Sequence, residues 1–259
     1  MPEGDTIWRT AASLRSGLEG KRIVAARPDA IKRLVGSTVI AVEPVGKHLL
    51  IRFDSGLALH SHMRMRGAWH LYRPGERWRR PDWQLKAMLE TEGVVAVCFA
   101  APIVELVRNT APAVGHLGPD ILTDAWLVSD VIGRTRSLAP VAVGELLLDQ
   151  RVTAGIGNVY RCEALWQRGV NPWTSSGDLS DGDLAALFET ARAAMRSNLG
   201  GGFARRFPGY GSAAVHGRGR RPCPRCGTPI RVRAQGEHAR LTYWCPACQP
   251  VSESKVDRH

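Results

Sequence analysis

Apolar residues at Ile7, Ala11, Leu14 and Leu18 fall four, three and four positions apart, the spacing that lines one face of an α-helix. This predicts an amphipathic helix over 5–18, with Asp5 near its start, where the helix dipole favours an acid. From Lys21 to about Val107 the pattern changes to short runs rich in Val, Ile and Leu: KRIVAARP, STVIAVEPVGKHLLIRF, GLALHSHM, WQLKAMLE and GVVAVCFA. Gly and Pro punctuate them. Runs of this length, with no long helical pattern between them, predict an antiparallel sandwich or barrel.

After HLGPDIL the pattern weakens over 124–140 and then turns helical in VAVGELLLDQ, GNVYRCEALWQRG and SDGDLAALFETARAAMRSNL. The last segment starts with Ser180 three residues before Asp183, a carboxylate version of the capping box. The chain therefore reads as a multidomain α and β protein. Its parts are an N-terminal β domain with a leading helix (1–123), a hinge (124–140), a helical domain (141–215), a small cysteine-bearing module (216–250) and a polar, disordered tail (251–259).

Of six cysteines, Cys223, Cys226, Cys245 and Cys248 form two C-x-x-C pairs with eighteen residues between the inner two. That spacing suits a four-thiolate zinc site, and a full shell of four thiolates makes the zinc structural. Redox pairs or disulfides are the alternative, but neither a thioredoxin-like βαβ context nor a secretory leader accompanies them. Between the pairs, IRVRAQGEHARLTYW alternates apolar and basic residues around a glycine and predicts a β-hairpin. Its Arg231, Arg233 and Arg240 either meet nucleic-acid phosphates or keep a small module soluble.

The formal charge of +11 points to a polyanionic partner, most simply nucleic acid, against the plainer reading of a solvated basic surface. No stretch has the apolar length of a membrane helix, and the chain is expected to remain where it is made. HSHMRMRGAWHLYRPGERWRRPDW interleaves Arg64, Arg66, Arg73, Arg77, Arg79 and Arg80 with Trp69, Trp78 and Trp83, a mixture suited to phosphates and bases. Met-Arg-Met-Arg equally fits a half-buried strand, with Met63 and Met65 facing the core. Gly155 and Gly157 lead into Asn158, which either caps a helix or helps its N-terminus hold a phosphate. At the start, removal of Met1 would expose Pro2 as a secondary amine, nucleophilic at neutral pH, with Glu3 beside it as acid and base. The plain reading is helix punctuation.

Taken in order, MPEG at the start, GKHLL at 46–50, HLGPD at 116–120, AGIGNVY at 154–160 and CPRCG…RLTYWCPACQ near the end resemble the formamidopyrimidine-DNA glycosylase and endonuclease VIII family over nearly the whole chain. The resemblance implies an N-terminal β-sandwich with a helix, a hinge, a helix-two-turn-helix domain and a zinc-finger β-hairpin. It implies Pro2 as the Schiff-base nucleophile, Glu3 as the proton donor at base release, Lys47 for β-elimination and Arg240 for phosphate contact and δ-elimination. Asn158 would grip phosphate, and Arg64, Met65 and Arg66 would fill the space left by an everted base.

MPEG, the three-residue filler cluster and Arg161 in NVYRCEALW are more similar to the endonuclease VIII branch, which prefers oxidised pyrimidines, and Arg161 is counted with the DNA-binding residues. The chain departs from the family at Asp5-Thr6, where relatives usually continue Pro-Glu. The implied activity is a bifunctional DNA glycosylase and AP lyase of bacterial base excision repair. It holds one zinc ion and acts on damaged DNA as a monomer in the nucleoid-containing cytoplasm. An oxidised-purine enzyme of the same family and a catalytically silent zinc-bearing DNA-binding protein are the rivals.

Overall fold

The computed structural model describes residues 2–200, 204–207 and 210–251. The chain forms two compact units, Met1–His116 and Leu117–His259. The division falls before the stretch read as a hinge, and 124–140 itself carries a helix. The expected tail, apart from Val251, lies outside the described residues.

In the first unit, α1 (Gly4–Leu18) buries the stripe Ile7, Ala11, Leu14 and Leu18. It is followed by β1 (Ala25–Arg27), β2 (Val39–Val45), β3 (His48–Phe53), β4 (Ala58–His62), β5 (Ala68–Tyr72), β6 (Leu85–Glu90), β7 (Val95–Phe99) and β8 (Ile103–Val107). These make two four-stranded antiparallel sheets, ordered β2-β3-β4-β8 and β1-β6-β7-β5, so the expectation of sandwich or barrel resolves to a sandwich. Leu49, Ile51 and Leu59 of one sheet meet Ala87, Leu89, Ala96 and Cys98 of the other in one core with the α1 stripe. The helix is also tied to the first sheet by polar bonds. Arg15 Nε donates to the Val42 carbonyl at 2.8 Å, and the Val42 N–H donates to Glu19 Oε1 at 2.7 Å. Because β3 turns Leu49, Ile51 and Phe53 inward, the alternation of the strand places His48 and Arg52 on the other face. A single turn, α2 (Ala111–Val114), closes the unit.

The second unit begins with a clasp between two of the sequence motifs. HLGPD and the residue after it pair with the strand-like start of AGIGNVY: Ile121 N–H donates to the Ala154 carbonyl at 3.0 Å, and Ala154 N–H to the Pro119 carbonyl at 3.0 Å. Gly118 permits this approach, since a Cβ there would stand 2.5 Å from the Arg151 carbonyl oxygen. Then come α3 (Val128–Arg136), α4 (Val143–Leu146), α5 (Asn158–Arg168) and α6 (Asp181–Ser197). The segment VAVGELLLDQ, expected to be helical, gives only the one turn of α4. Asp149 ends it, accepting the Arg151 N–H on its side chain at 2.9 Å and the Val152 N–H on its carbonyl at 3.1 Å. Ser180 and Asp183 form the predicted capping box at the start of α6, and α5 stops at Gly169, whose φ of 70° is left-handed. The hairpin β9 (Arg231–Gln235) and β10 (Arg240–Trp244) packs on α5. A cluster of Cys162, Trp166, Ala214, Val215, Cys223, Ile230 and Cys245 joins them.

Candidate functional site

At the head of α1, Pro2 is half-buried and Glu3 is fully buried, 0% exposed. Glu3 occupies the N-cap in extended backbone, and its carbonyl accepts the Thr6 and Ile7 N–H groups at 2.9 and 3.1 Å. The helix therefore starts directly after the acid, and Glu3 is held by the first turn. The two residues that depart from the family's opening follow directly. Asp5 is also fully buried and pairs with Arg9 Nη2 at 3.5 Å, while Thr6 Oγ1 donates to Asp5 Oδ1 at 3.4 Å.

Lys47 sits with Gly46 in the two-residue turn of the β2–β3 hairpin, where Gly46 has φ 58°. Beside it is a group the sequence reading missed. His48 on β3 and His60 and His62 on β4 share one face, with His48 Nδ1 2.8 Å from His60 Nε2 and the His48 and His62 rings edge to face at 4.6 Å. Glu105 of β8 lies 3.7 Å from His60 Nδ1. Burial, followed by the neighbouring His62, pushes His48 down to about 3. Burial, then the Arg64 and Lys47 charges, pushes His62 down to about 4. These imidazoles are neutral at physiological pH and leave the positive charge here to Lys47 and Arg64. The period of two in LHSH was the available signal, since alternate strand residues share a face.

Arg64, Met65 and Arg66 form the turn between β4 and β5, all three exposed. The half-buried strand suggested by Met-Arg-Met-Arg is thus half right. Met63 is 2% exposed and joins the core, but Met65 is 63% exposed. The cause is local: Arg64 adopts φ 43°, a left-handed conformation that breaks the strand's alternation. The strained turn is braced. Gly67 N–H donates to the Met63 carbonyl at 2.9 Å, Arg64 N–H donates to His62 Nδ1 at 3.2 Å, and Arg80 Nη1 donates to the Arg66 carbonyl at 3.1 Å. Gly67 is required, because a Cβ would stand 2.6 Å from the Met63 carbonyl oxygen. Strain held this way is a feature of built sites. The result is an apolar tip between two guanidiniums, projecting from a rigid base.

In the second unit the expectations for α5 need correction. Arg161, counted with the DNA-binding residues, is 0% exposed. Its guanidinium donates to Thr242 Oγ1 at 2.7 Å, to the Gly144 and Leu241 carbonyls at 3.3 and 3.4 Å, to Gln235 Oε1 at 3.4 Å and to Asn158 Oδ1. It is the internal pin between α5 and the hairpin, and no phosphate can reach it. Burial lowers its pKa, yet a guanidinium keeps its charge at any physiological pH. Asn158 is largely buried as well, with Nδ2 donating to the Leu241 carbonyl at 2.8 Å. Arg231, Arg233 and Arg240 are all exposed on the hairpin, with Arg233 also 5.4 Å from the centre of the Trp173 ring.

The contrast is measurable. Arg161→Met strands several buried acceptors and is expected to lower the stability of the protein by about 3 kcal/mol or more, read from urea unfolding. It should leave the salt dependence of DNA binding unchanged. Arg240→Ala should do the reverse, keeping stability and flattening the slope of log K against log salt by about 0.9. A flattened slope in Arg161→Met would put that arginine on DNA after all.

The sulfurs of Cys223, Cys226, Cys245 and Cys248 lie within 4.8 Å of one another. The Cys226–Cys245 and Cys226–Cys248 separations are both 3.4 Å, and Cys223–Cys248 is 3.9 Å. Four thiolates at about 2.3 Å from a tetrahedral ion stand about 3.8 Å apart, whereas a disulfide requires about 2.05 Å. The set therefore fits one zinc ion. Gly227, at φ 77°, lets its N–H fold back to the Cys223 carbonyl at 2.9 Å and forms the first knuckle. Gln249 fixes the second, accepting the Cys245 N–H at 3.0 Å and donating to the Val170 carbonyl at 2.8 Å. Among the described residues no helix is long and apolar enough to cross a membrane.

Comparison with known proteins places these features together. Residues 1–101 match the formamidopyrimidine-DNA glycosylase N-terminal domain, 117–206 match the H2TH domain of that glycosylase, and 221–251 match the zinc finger found in FPG and IleRS. A probable endonuclease 8 2 of Streptomyces coelicolor is 42% identical over 96% of this chain and 94% of its own length. The DNA-(apurinic or apyrimidinic site) lyase Nei2 of Mycolicibacterium smegmatis is 37% identical over 97% and 100%. Endonuclease 8 of Escherichia coli (strain UMN026) is 33% identical over 96% and 100%. A solved structure of MutM in complex with DNA containing carbocyclic 8-oxo-G superposes with a TM-score of 0.81, covering 96% of this chain and 100% of that one; at 20% identity it bears on the fold alone. The MutM (Fpg) protein of Thermus thermophilus is 26% identical, with a TM-score of 0.78 over 96% and 98%. Matched to such relatives over nearly its whole length, the chain belongs to the formamidopyrimidine-DNA glycosylase and endonuclease VIII family.

Proposed function

We propose that this DNA glycosylase and AP lyase of base excision repair removes oxidised bases, mainly pyrimidines, with the amine of Pro2 as nucleophile, and cuts the strand by β,δ-elimination. The observation that carries the reading is the head of α1. A proline stands one residue ahead of a fully buried glutamate, in a chain whose relatives at 32–42% identity bear endonuclease 8 or AP-site lyase names.

With Met1 removed, the Pro2 nitrogen attacks C1′ of the damaged nucleotide. The bond from C1′ to the base breaks as Glu3 delivers a proton to the leaving side. The sugar ring opens to an iminium ion, which cannot become neutral by losing an N–H proton because proline nitrogen has none left. Loss of a C2′ proton and of the 3′ phosphate follows (β-elimination), then loss of the 5′ phosphate (δ-elimination), and water returns the free amine. Lys47 attends the first elimination, and Arg240 holds a phosphate for the second. A base everted for this chemistry costs a few kcal/mol in lost stacking, and the braced turn of Arg64, Met65 and Arg66 offsets it by occupying the gap. Asn158 keeps one amide hydrogen beyond its bond to Leu241, enough for a single phosphate oxygen. Zinc supplies no chemistry to these steps and holds the hairpin's fold. The protein acts as a monomer, in the bacterial cytoplasm at the nucleoid.

The test is a panel of duplexes carrying thymine glycol, dihydrouracil, oxidised guanine or an abasic site. The reading expects the two pyrimidine lesions to be processed at least about tenfold faster than oxidised guanine, a transition-state difference of about 1.4 kcal/mol. A reversed order makes the protein a purine enzyme. Tight binding without cleavage makes it a silent relative.

A further inference from the structure

The loop between β5 and β6, residues 73–84, carries four arginines, Arg73, Arg77, Arg79 and Arg80, and apart from the bond by which Arg80 braces the turn after β4 it has no role in the chemistry above. Its base is apolar: Trp78 stacks edge to face on Phe99 at 5.8 Å and lies 6.4 Å from Tyr72, within a cluster that includes Met88, Val95 and Val97. The Tyr72 hydroxyl also accepts the Arg79 N–H at 3.1 Å. The loop is thereby held and not left to fray. Its middle is an open cavity of about 570 Å³ lined by Arg27, Arg77, Arg79 and Arg80, against two carboxylates, Glu76 and Asp82. Among the described residues of this unit the ion pairs involve Arg9, Arg15, Lys32, Arg52 and His60, and none includes one of the four cavity arginines. Its far end is Trp83, on the short turn Asp82–Gln84, 79% exposed.

Two tryptophans five residues apart thus have opposite environments. Trp78 spends its ring on the core, while Trp83 offers a flat indole to solvent. Arginines outside any ion pair beside an exposed aromatic ring are the two halves of a single-strand platform, in which phosphate meets guanidinium and an unpaired base stacks on the ring. Arg80 also carries the hydrogen bond to the Arg66 carbonyl, so the platform is anchored to the turn assigned to fill the gap behind an everted base.

We propose that this cavity and Trp83 bind an unpaired DNA segment, with a phosphate among Arg27, Arg77 and Arg79 and the neighbouring base on the Trp83 indole. The site would favour lesions in bubbles, forks or single strands over those in closed duplex. The inference rests on the reading as a DNA glycosylase for its purpose, though not for its test.

The experiment titrates the full-length protein with an undamaged labelled oligothymidylate, and separately with a bubble and a blunt duplex carrying the same abasic site. Trp83→Ala is expected to weaken oligothymidylate and bubble binding about tenfold and to leave borohydride trapping on the blunt duplex unchanged. Trp83→Phe, which keeps a π-face, should retain most of the affinity. Arg79→Gln should flatten the single-strand salt slope by about 0.7. Equal losses on bubble and blunt duplex, no loss on any, or the same loss for Phe as for Ala would overturn the proposal. Failure of wild-type protein to trap abasic DNA would sink the lyase reading and leave the oligothymidylate result to stand or fall alone.

Discussion

Mixed with abasic duplex and borohydride, the protein whose first residue is Pro2 is expected to become covalently joined to DNA, and a version carrying any residue before Pro2 is not. The reason is electronic. Extension converts the Pro2 nitrogen into an amide whose lone pair is delocalised, so no iminium ion forms for borohydride to reduce. The extension should cut trapping to background while leaving unfolding unchanged, because Pro2 itself makes no part of the core.

The pH dependence has a defined sign. An α-amino group ordinarily titrates near 7.7–8.0, and only its deprotonated form attacks, so trapping of abasic DNA should rise from about pH 6.5 to 8.5. Glu3→Gln separates the two halves of the reaction. On a DNA that has already lost its base, trapping should persist; on a duplex that still carries the damaged base, it should fall by roughly 10²–10⁴, the usual worth of a general acid. Equal loss on both substrates would mean that Glu3 shapes the N-terminus and donates no proton. Trapping at full rate by the extended protein would remove Pro2 from the mechanism and direct the search to a lysine.

What the sequence made legible and what it concealed differ in range. The α1 stripe, the capping box of Ser180 and Asp183 and the cysteine spacing are local patterns, and each appears where its period or spacing put it. Arg161 was misread because its acceptors come from far along the chain. Gln235 and Thr242 lie more than seventy residues away, and an arginine among apolar residues of α5 looks the same whether it points to solvent or is buried and satisfied. For Met65 the sequence left two readings open, and the core-facing one fails because a single left-handed residue, Arg64, breaks the alternation that a strand would impose. Nothing about arginine announces a positive φ. The helix α3 was overlooked since only Val131 and Thr135 of its nine residues are buried, too few to show a period. The histidine group was visible as LHSH on one strand, but His48 joins it from the neighbouring strand, and that pairing is a property of the sheet.

Removal of zinc carries the other large expected effect. The finger has almost no core of its own: Cys223, Ile230 and Cys245 are its buried apolar residues in the cluster with α5, while Val232 and Leu241 of the hairpin are left exposed. Modules this small depend on the metal, whose binding is worth about 10–16 kcal/mol in isolated fingers. The protein should therefore contain about one equivalent of zinc, and Cys245→Ser, at a fully buried ligand, should release it. Cys98→Ser, in the sandwich core, should not. Loss of the metal also frees Leu241 and Thr242 from Arg161 and Asn158, so damage should pass into the start of α5 as added hydrogen exchange there. The sandwich unit has its own core and should stay protected. For DNA, the hairpin brings Arg231, Arg233 and Arg240, and disordering all three is expected to flatten the salt slope by about 2 to 3 and to weaken binding by at least 100-fold near physiological salt. A metal-free protein that keeps its affinity and its slope would show the cysteines to be dispensable, and the hairpin arginines would then lose their place in the chemistry.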